Sequence, residues 1–238
     1  MKDNLLDLIQ HTNGLGVIDT LKIDGTDSET KITALAEDKT VIVYGSFKNP
    51  IADFVGTFGM PNLNTLKTIL SFDDYDDSAE ITVTTKDDAP CAIHFETKNA
   101  DFVNDYRLMS KAMVEEKVKP VKFKGATWAV EFTPSIEGIT RLKKQSSANN
   151  SENTFTVKSE GDKIRVYFGD PSTHSGNFIF TTGSGKLNKA WSYPVSVFAS
   201  ILNLPGDKTV RFSDQGVAEV TVDSGIAEYE YILPAQSK

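Results

Sequence analysis

Residues 133–148 read TPSIEGITRLKKQSSA. Thr133 suits an N-cap, and Pro134 suits the first helical position, where its missing N–H would be unpaired anyway. A short helix is therefore predicted here. Ile136, Ile139 and Leu142 recur every three residues and share a face. Arg141 and Lys144 share a second face, with Lys143 about 100° further round. The cations stand near the C-terminal end, where the helix dipole favours them. Taken alone, the segment reads as a solvated helix end. Its neighbours give it a further meaning.

Upstream, Val121–Phe132 is predicted as a strand. Downstream come strands at 153–159, 163–169 and 177–182, then a helix opened by Tyr193-Pro194 that buries Phe198, Ile201 and Leu202. Three closing strands follow, at 209–213, 217–222 and 227–233. The first half runs in the same order. A helix over Asn4–His11, with Leu5, Leu6 and Ile9 inward, ends at Asn13-Gly14. Strand-like runs at 17–23, 31–35, 39–47 and 52–58 precede a helix from Met60-Pro61-Asn62 to Ser71 that buries Leu63, Leu66, Ile69 and Leu70. Strands at 80–85, 91–97 and 102–109 close the half. The order helix, strands, helix, three strands thus repeats at a spacing of about 120 residues. The fold class that follows is α+β, with two similar domains, each an antiparallel β-sheet layer backed by two α-helices. Residues 1–109 form the N-terminal domain, 110–120 a charged, proline-ended connector, and 121–238 the C-terminal domain. Such sheets have open edges that must be covered, charged or paired with another chain.

The 238 residues carry a formal charge of −8, unevenly spread. Residues 1–110 hold 19 acids against 9 Lys and Arg; residues 111–238 hold 14 against 16. This asymmetry points to a polyanionic partner met mainly by the second half. The acidic total disfavours a protein that simply coats nucleic acid. No apolar run approaches the roughly 18 residues of a membrane span. MKDNLLDLIQH, at residues 1–11, carries acids within its apolar stretch and is not read as a signal peptide. The single cysteine, Cys91, excludes an internal disulfide framework and reads as an inert small hydrophobe in a strand. An intracellular location is expected, and Asn149-Asn150-Ser151 is read as loop rather than as a glycosylation site.

No catalytic constellation stands out, so an enzyme is not expected, nor a metal or cofactor. His11, His94 and His174 lie in different elements. Gly185-Lys186 lacks the phosphate-loop context, since Phe180 stands where a glycine and Leu187 where a Ser or Thr is needed. Residues 183–186 read instead as a hairpin turn. Asp73–Asp77 lacks the spacing and the glycine of a calcium loop. If the two units are related by symmetry, their four helices share one side. Lys67, Arg141, Lys143, Lys144, Lys186 and Lys189 would then face duplex DNA and touch phosphates without reading sequence. Tyr and Trp platforms for stacking single-stranded bases are not evident on these helices. The tail IAEYEYILPA, residues 226–235, either closes a core or docks partner peptides.

The doubled element order, the basic helix after the connector and the ending GVAEV…YEYILPA (residues 216–220 and 229–235) together resemble a DNA polymerase sliding clamp, of the phage processivity-factor and proliferating-cell-nuclear-antigen kind. The resemblance covers essentially the whole chain. It implies a closed homotrimeric ring, helices inside and sheets outside, that encircles duplex DNA and tethers a DNA polymerase. An ATP-dependent clamp loader would open it, and no ATP site is visible in this chain. Partner peptides would enter a pocket under the connector, formed by Tyr231, Ile232, Leu233 and Pro234 with Val118, Pro120 and Val41. The strand at 102–109 of one chain would meet 176–182 of the next, placing Phe102, Val103, Tyr106, Phe178 and Phe180 at the subunit interface. The chain departs from the pattern in its first helix, which offers Asp3 and Asp7 with only Lys2 and His11 to help, and in the near-missing first strand of its first unit. A phage source would place it in the cytoplasm of an infected host cell. The alternative is a β-rich virion structural or assembly protein with no sliding role.

Overall fold

The computed structural model describes residues 1–119 and 123–236. They divide into two compact units: residues 1–122 with 223–229, and residues 123–222 with 230–238.

In the first unit, α1 (Lys2–His11) leads through a 3-10 turn to β1 (Leu21–Gly25), β2 (Thr30–Leu35), β3 (Ile42–Phe47) and β4 (Gly56–Met60). α2 (Leu63–Leu70) precedes β5 (Glu80–Lys86), β6 (Ala89–Glu96) and β7 (Val103–Arg107), and α3 (Lys111–Lys117) follows. The strands pair antiparallel in the order β4-β1-β2-β3 and, in a second sheet, β5-β6-β7. The second unit holds β8 (Trp128–Phe132), α4 (Ile136–Ala148), β9 (Thr154–Glu160), β10 (Lys163–Gly169), β11 (Ser175–Thr182) and β12 (Trp191–Pro194). α5 (Val195–Asn203), β13 (Asp207–Ser213), β14 (Val217–Asp223) and β15 (Ala227–Pro234) complete it. Its orders are β12-β9-β10-β11 and β15-β14-β13-β8. The repeat read from the sequence therefore extends to strand order: β1 to β4 and β9 to β12 are arranged identically. One strand differs. β13 is flanked by β8, whereas β5 has no corresponding neighbour among the described residues.

Each unit closes around aromatic residues. Phe198 meets Phe155 edge-on at 5.0 Å and stacks on Phe212 at 6.1 Å, while Phe132 and Phe180 meet edge-on at 5.0 Å. In the first unit Tyr75 lies against Phe95 and Phe102. A polar knot joins α1 to the start of β15. His11 is fully buried and stacks on Tyr229 at 4.6 Å, and the Tyr229 hydroxyl donates to Asp7 Oδ2 at 2.8 Å. Burial pushes the Asp7 carboxyl up, but hydrogen bonds from His11 and Tyr229 outweigh it and hold the group below its ordinary 3.8. Tyr229→Phe keeps the ring and removes that donor, so we expect a loss of roughly 1.5–3 kcal/mol in chemical unfolding at neutral pH. A carboxylate with a depressed pKa contributes stability above 3.8 that is lost as pH falls through its folded value. The deficit of the variant should therefore shrink on the acid side; an unchanged unfolding midpoint at neutral pH would contradict the assignment.

Several boundaries differ from the sequence reading. The helix at 133–148 begins at Ile136, and its N-cap is Ser135, whose Oγ accepts from the Gly138 N–H at 3.0 Å. Ile136 is 85% exposed, so the every-third stripe is not the inner face. Three-residue steps drift by about 60° per step; Gly138, against Phe180, with Leu142 and Asn149 make the inner stripe. Leu6 is 42% exposed while Leu8 is buried, because consecutive Leu5 and Leu6 stand about 100° apart and cannot both face inward. Gly16, with φ of 78°, rather than Gly14, takes the left-handed position after α1. Tyr193-Pro194, expected to open the helix, instead end β12, and α5 starts at Val195. Residues 183–186 are not a hairpin turn, since β11 and β12 stand at opposite edges of their sheet and the loop is a crossover. The segment 110–120 holds α3, which packs on β4. Gly59 allows that approach: a Cβ there would lie 2.6 Å from Val114 Cγ2.

Candidate functional site

The cations of α4 lie on its solvent side. Arg141, Lys143 and Lys144 are exposed, because Gly138 and Leu142 fix the opposite stripe inward. They are not equivalent. Arg141 donates to Glu137 Oε1 at 2.5 Å, one turn back, so part of its charge is already matched. Lys143 and Lys144 have no carboxylate within 4.0 Å among the described residues. Lys186 and Lys189 are exposed but stand on the β11–β12 crossover and not on a helix. The Lys186 N–H donates to Ala129 O, and Lys189 Nζ lies 6.0 Å over the Trp191 ring.

In the first unit, Lys67 is exposed on α2 and borders a cavity of about 540 Å3 that Asp19, Glu37 and Asp38 also line. Those carboxylates oppose a phosphate contact there. α1 offers little: Lys2 Nζ is bonded to Tyr75 O, and buried His11 meets no solvent. Of the six cations expected to face DNA, five thus stand on the second unit.

The expected peptide pocket is composed differently. Tyr231, Ile232 and Leu233 are at most 2% exposed, and only Pro234 of that group is open. These three are core residues and do not line a surface, because the end of β15 buries consecutive side chains instead of alternating. Val41 is fully buried as well, and Pro120 lies outside the described residues. Val118 does border a cavity, of about 570 Å3, at the end of α3. Leu35, half-buried at the end of β2, contributes apolar surface beside it, and the buried Ala36 borders it. Lys39, Lys117 and Lys119 stand around it with Asp19 and Glu37, and Thr20 is at its wall. Thr20 Oγ1 is buried and finds no hydrogen-bond partner among the described residues. The sequence reading named Val118 but not the residues around it; their signal was the spacing of Lys117 and Lys119 about the buried Val118.

Six strands end a sheet among the described residues: β4, β5, β7, β8, β11 and β12. Among the described residues β7 pairs only with β6 and β11 only with β10. Phe102 and Val103 are 38% and 47% exposed beside the β7 edge. Tyr106, Phe178 and Phe180, expected at the same interface, are buried instead. Strand alternation turns Tyr106 toward Pro61 O, to which its hydroxyl donates, and turns Phe178 and Phe180 toward α4. Val103, Asp105 and Arg107 face outward on β7, as do Asn177 and Ile179 on β11.

His94, on β6, is clamped next to that edge. Its Nδ1 lies 2.8 Å from Asp105 Oδ1 and its Nε2 3.0 Å from Glu96 Oε2. The Glu96 bond, then the Asp105 bond, raise the imidazole pKa above its ordinary 6.5. An NMR titration should give a His94 midpoint above 6.5, lowered by Glu96→Gln and by Asp105→Asn; a wild-type midpoint at or below 6.5 would contradict the clamp. The stabilisation is fully present below 6.5 and is lost as pH rises through the folded value.

No family model and no curated protein matches the sequence. Solved structures do match the fold. The proliferating cell nuclear antigen of A. fulgidus, solved with a bound C-terminal region of FEN-1, superposes with a TM-score of 0.72 at 10% identity over 98% of this chain and 96% of that one. The proliferating cellular nuclear antigen of Entamoeba histolytica gives 0.70 at 15% identity over 97% and 94%. The chain has the two-domain fold of the PCNA sliding clamps, over its whole length. No helix is long and apolar enough to cross a membrane among the described residues.

Proposed function

We propose that this chain is a non-enzymatic DNA sliding clamp: a ring of three chains that encloses duplex DNA and tethers a DNA polymerase, opened by an ATP-dependent loader. The observation that carries the reading is the repeat itself. In the first unit the outer side of β3 is taken by the start of β15. By the repeat, β11 corresponds to β3 and β7 to β15. β11 and β7 both end a sheet among the described residues, so by the repeat β7 of one chain pairs with β11 of the next, head to tail. Such a contact closes into a ring when the rotation fits. The PCNA fold supports this reading over virion assembly, and the FEN-1 segment bound to the A. fulgidus protein supports a peptide-docking surface on this one.

In this ring the DNA-facing charge is Lys143 and Lys144, with Arg141 weakened by Glu137, and Lys67, Lys186 and Lys189 secondary. The subunit contact uses Phe102 and Val103 against the outward face of β11. The docking cavity is the one bordered by Val118. Domain limits follow the units, near residue 122. Light scattering at micromolar concentration should report the mass of three chains; a strict monomer over that range contradicts the ring.

A further inference from the structure

We propose that the cavity at the end of α3 selects a partner segment with an apolar anchor and acidic flanks. This rests on the docking reading above and adds the chemistry of the partner. The first 110 residues carry an excess of ten negative charges, yet three lysines gather at this cavity. Lys39, Lys117 and Lys119 are exposed, and none has a carboxylate within 4.0 Å among the described residues. Their charge is unspent. Asp19 and Glu37, which border the same cavity, are likewise in no ion pair among the described residues, so the local balance is one net positive charge. The sequence continues the trend: residues 117–124 contain four lysines and no acid. A basic-flanked segment would meet repulsion at three lysines, whereas an acidic one gains a charge partner at each. Half-buried Leu35 supplies the open apolar surface for the anchor, and the buried Ala36 and Val118 border the cavity. The buried, unpartnered Thr20 hydroxyl adds a polar point that a hydrogen-bonding group of the occupant satisfies.

The test measures fluorescence anisotropy of labelled synthetic peptides on the full chain. Three peptides are used: one aromatic–aliphatic anchor with Asp/Glu flanks, the same anchor with Lys/Arg flanks, and the acidic flanks around a Ser-substituted anchor. The acidic-flanked peptide should bind roughly tenfold tighter than the basic-flanked one at low salt, with the gap closing at high salt. The triple variant Lys39→Glu, Lys117→Glu, Lys119→Glu should reverse the order, and the Ser-anchored peptide should lose most affinity. Equal or reversed preference in the wild type overturns the charge inference and leaves docking intact. Binding of neither flanked version overturns the docking reading itself. An acidic peptide that binds without its anchor, and is displaced by a short duplex, would mark a general polyanion surface instead and also overturn the proposal.

Discussion

Val103→Glu is expected to take the ring apart into single chains that remain folded. Val103 is 47% exposed in the isolated chain, so a carboxylate there disturbs little of the core. In the proposed assembly the same side chain is covered by β11 of the neighbour. An uncompensated charge buried there costs roughly 3 kcal/mol, or more than 100-fold in each contact. Every subunit carries the change, so all three contacts weaken together. Ile179→Glu, from the β11 side, should do the same. Light scattering then reads one-chain mass while circular dichroism and the unfolding midpoint stay near wild type. Two folded variants that both keep three-chain mass would place the subunit contact elsewhere. Tyr106 and Phe180 are unsuited to this test, since both are core residues and would report on folding.

Lys143→Ala with Lys144→Ala is expected to shorten residence on DNA far more than Arg141→Ala. The two lysines are exposed and unpaired, whereas Arg141 spends part of its charge on Glu137. A ring repeats the pair three times and so loses six cations. If all six meet phosphates, the salt dependence of DNA retention should flatten by up to about 5 in its logarithmic slope. The lysines face solvent, so subunit mass and stability should not change. An equal effect from Arg141→Ala, or an unchanged slope in the double variant, would move the DNA-facing surface off α4.

Fold class was legible because long apolar periods survive tertiary context. The faces of α2 and α5 came from Leu63, Leu66, Phe198 and Ile201, all of which the fold buries. Strand faces were less legible. At the end of β15 the alternation breaks, and Tyr231, Ile232 and Leu233 all go inward, which a two-residue period cannot show. The strands expected at 102–109 and 176–182 are sheet-end strands, with Phe102 and Val103 exposed but Tyr106, Phe178 and Phe180 buried. An aromatic at an edge strand was taken for contact surface when α4 was already covering it at Phe180. The peptide cavity was hardest to see, because Leu35, Lys39 and Val118 come from separate elements that only the packing of α3 on Gly59 brings together.

Topological retention on DNA tests the central claim most directly. After loading by a clamp loader onto closed circular duplex, the protein should stay bound through a high-salt wash and leave within the same wash once the circle is linearised. Loss at equal rates from circular and linear DNA would contradict a ring that encloses its substrate.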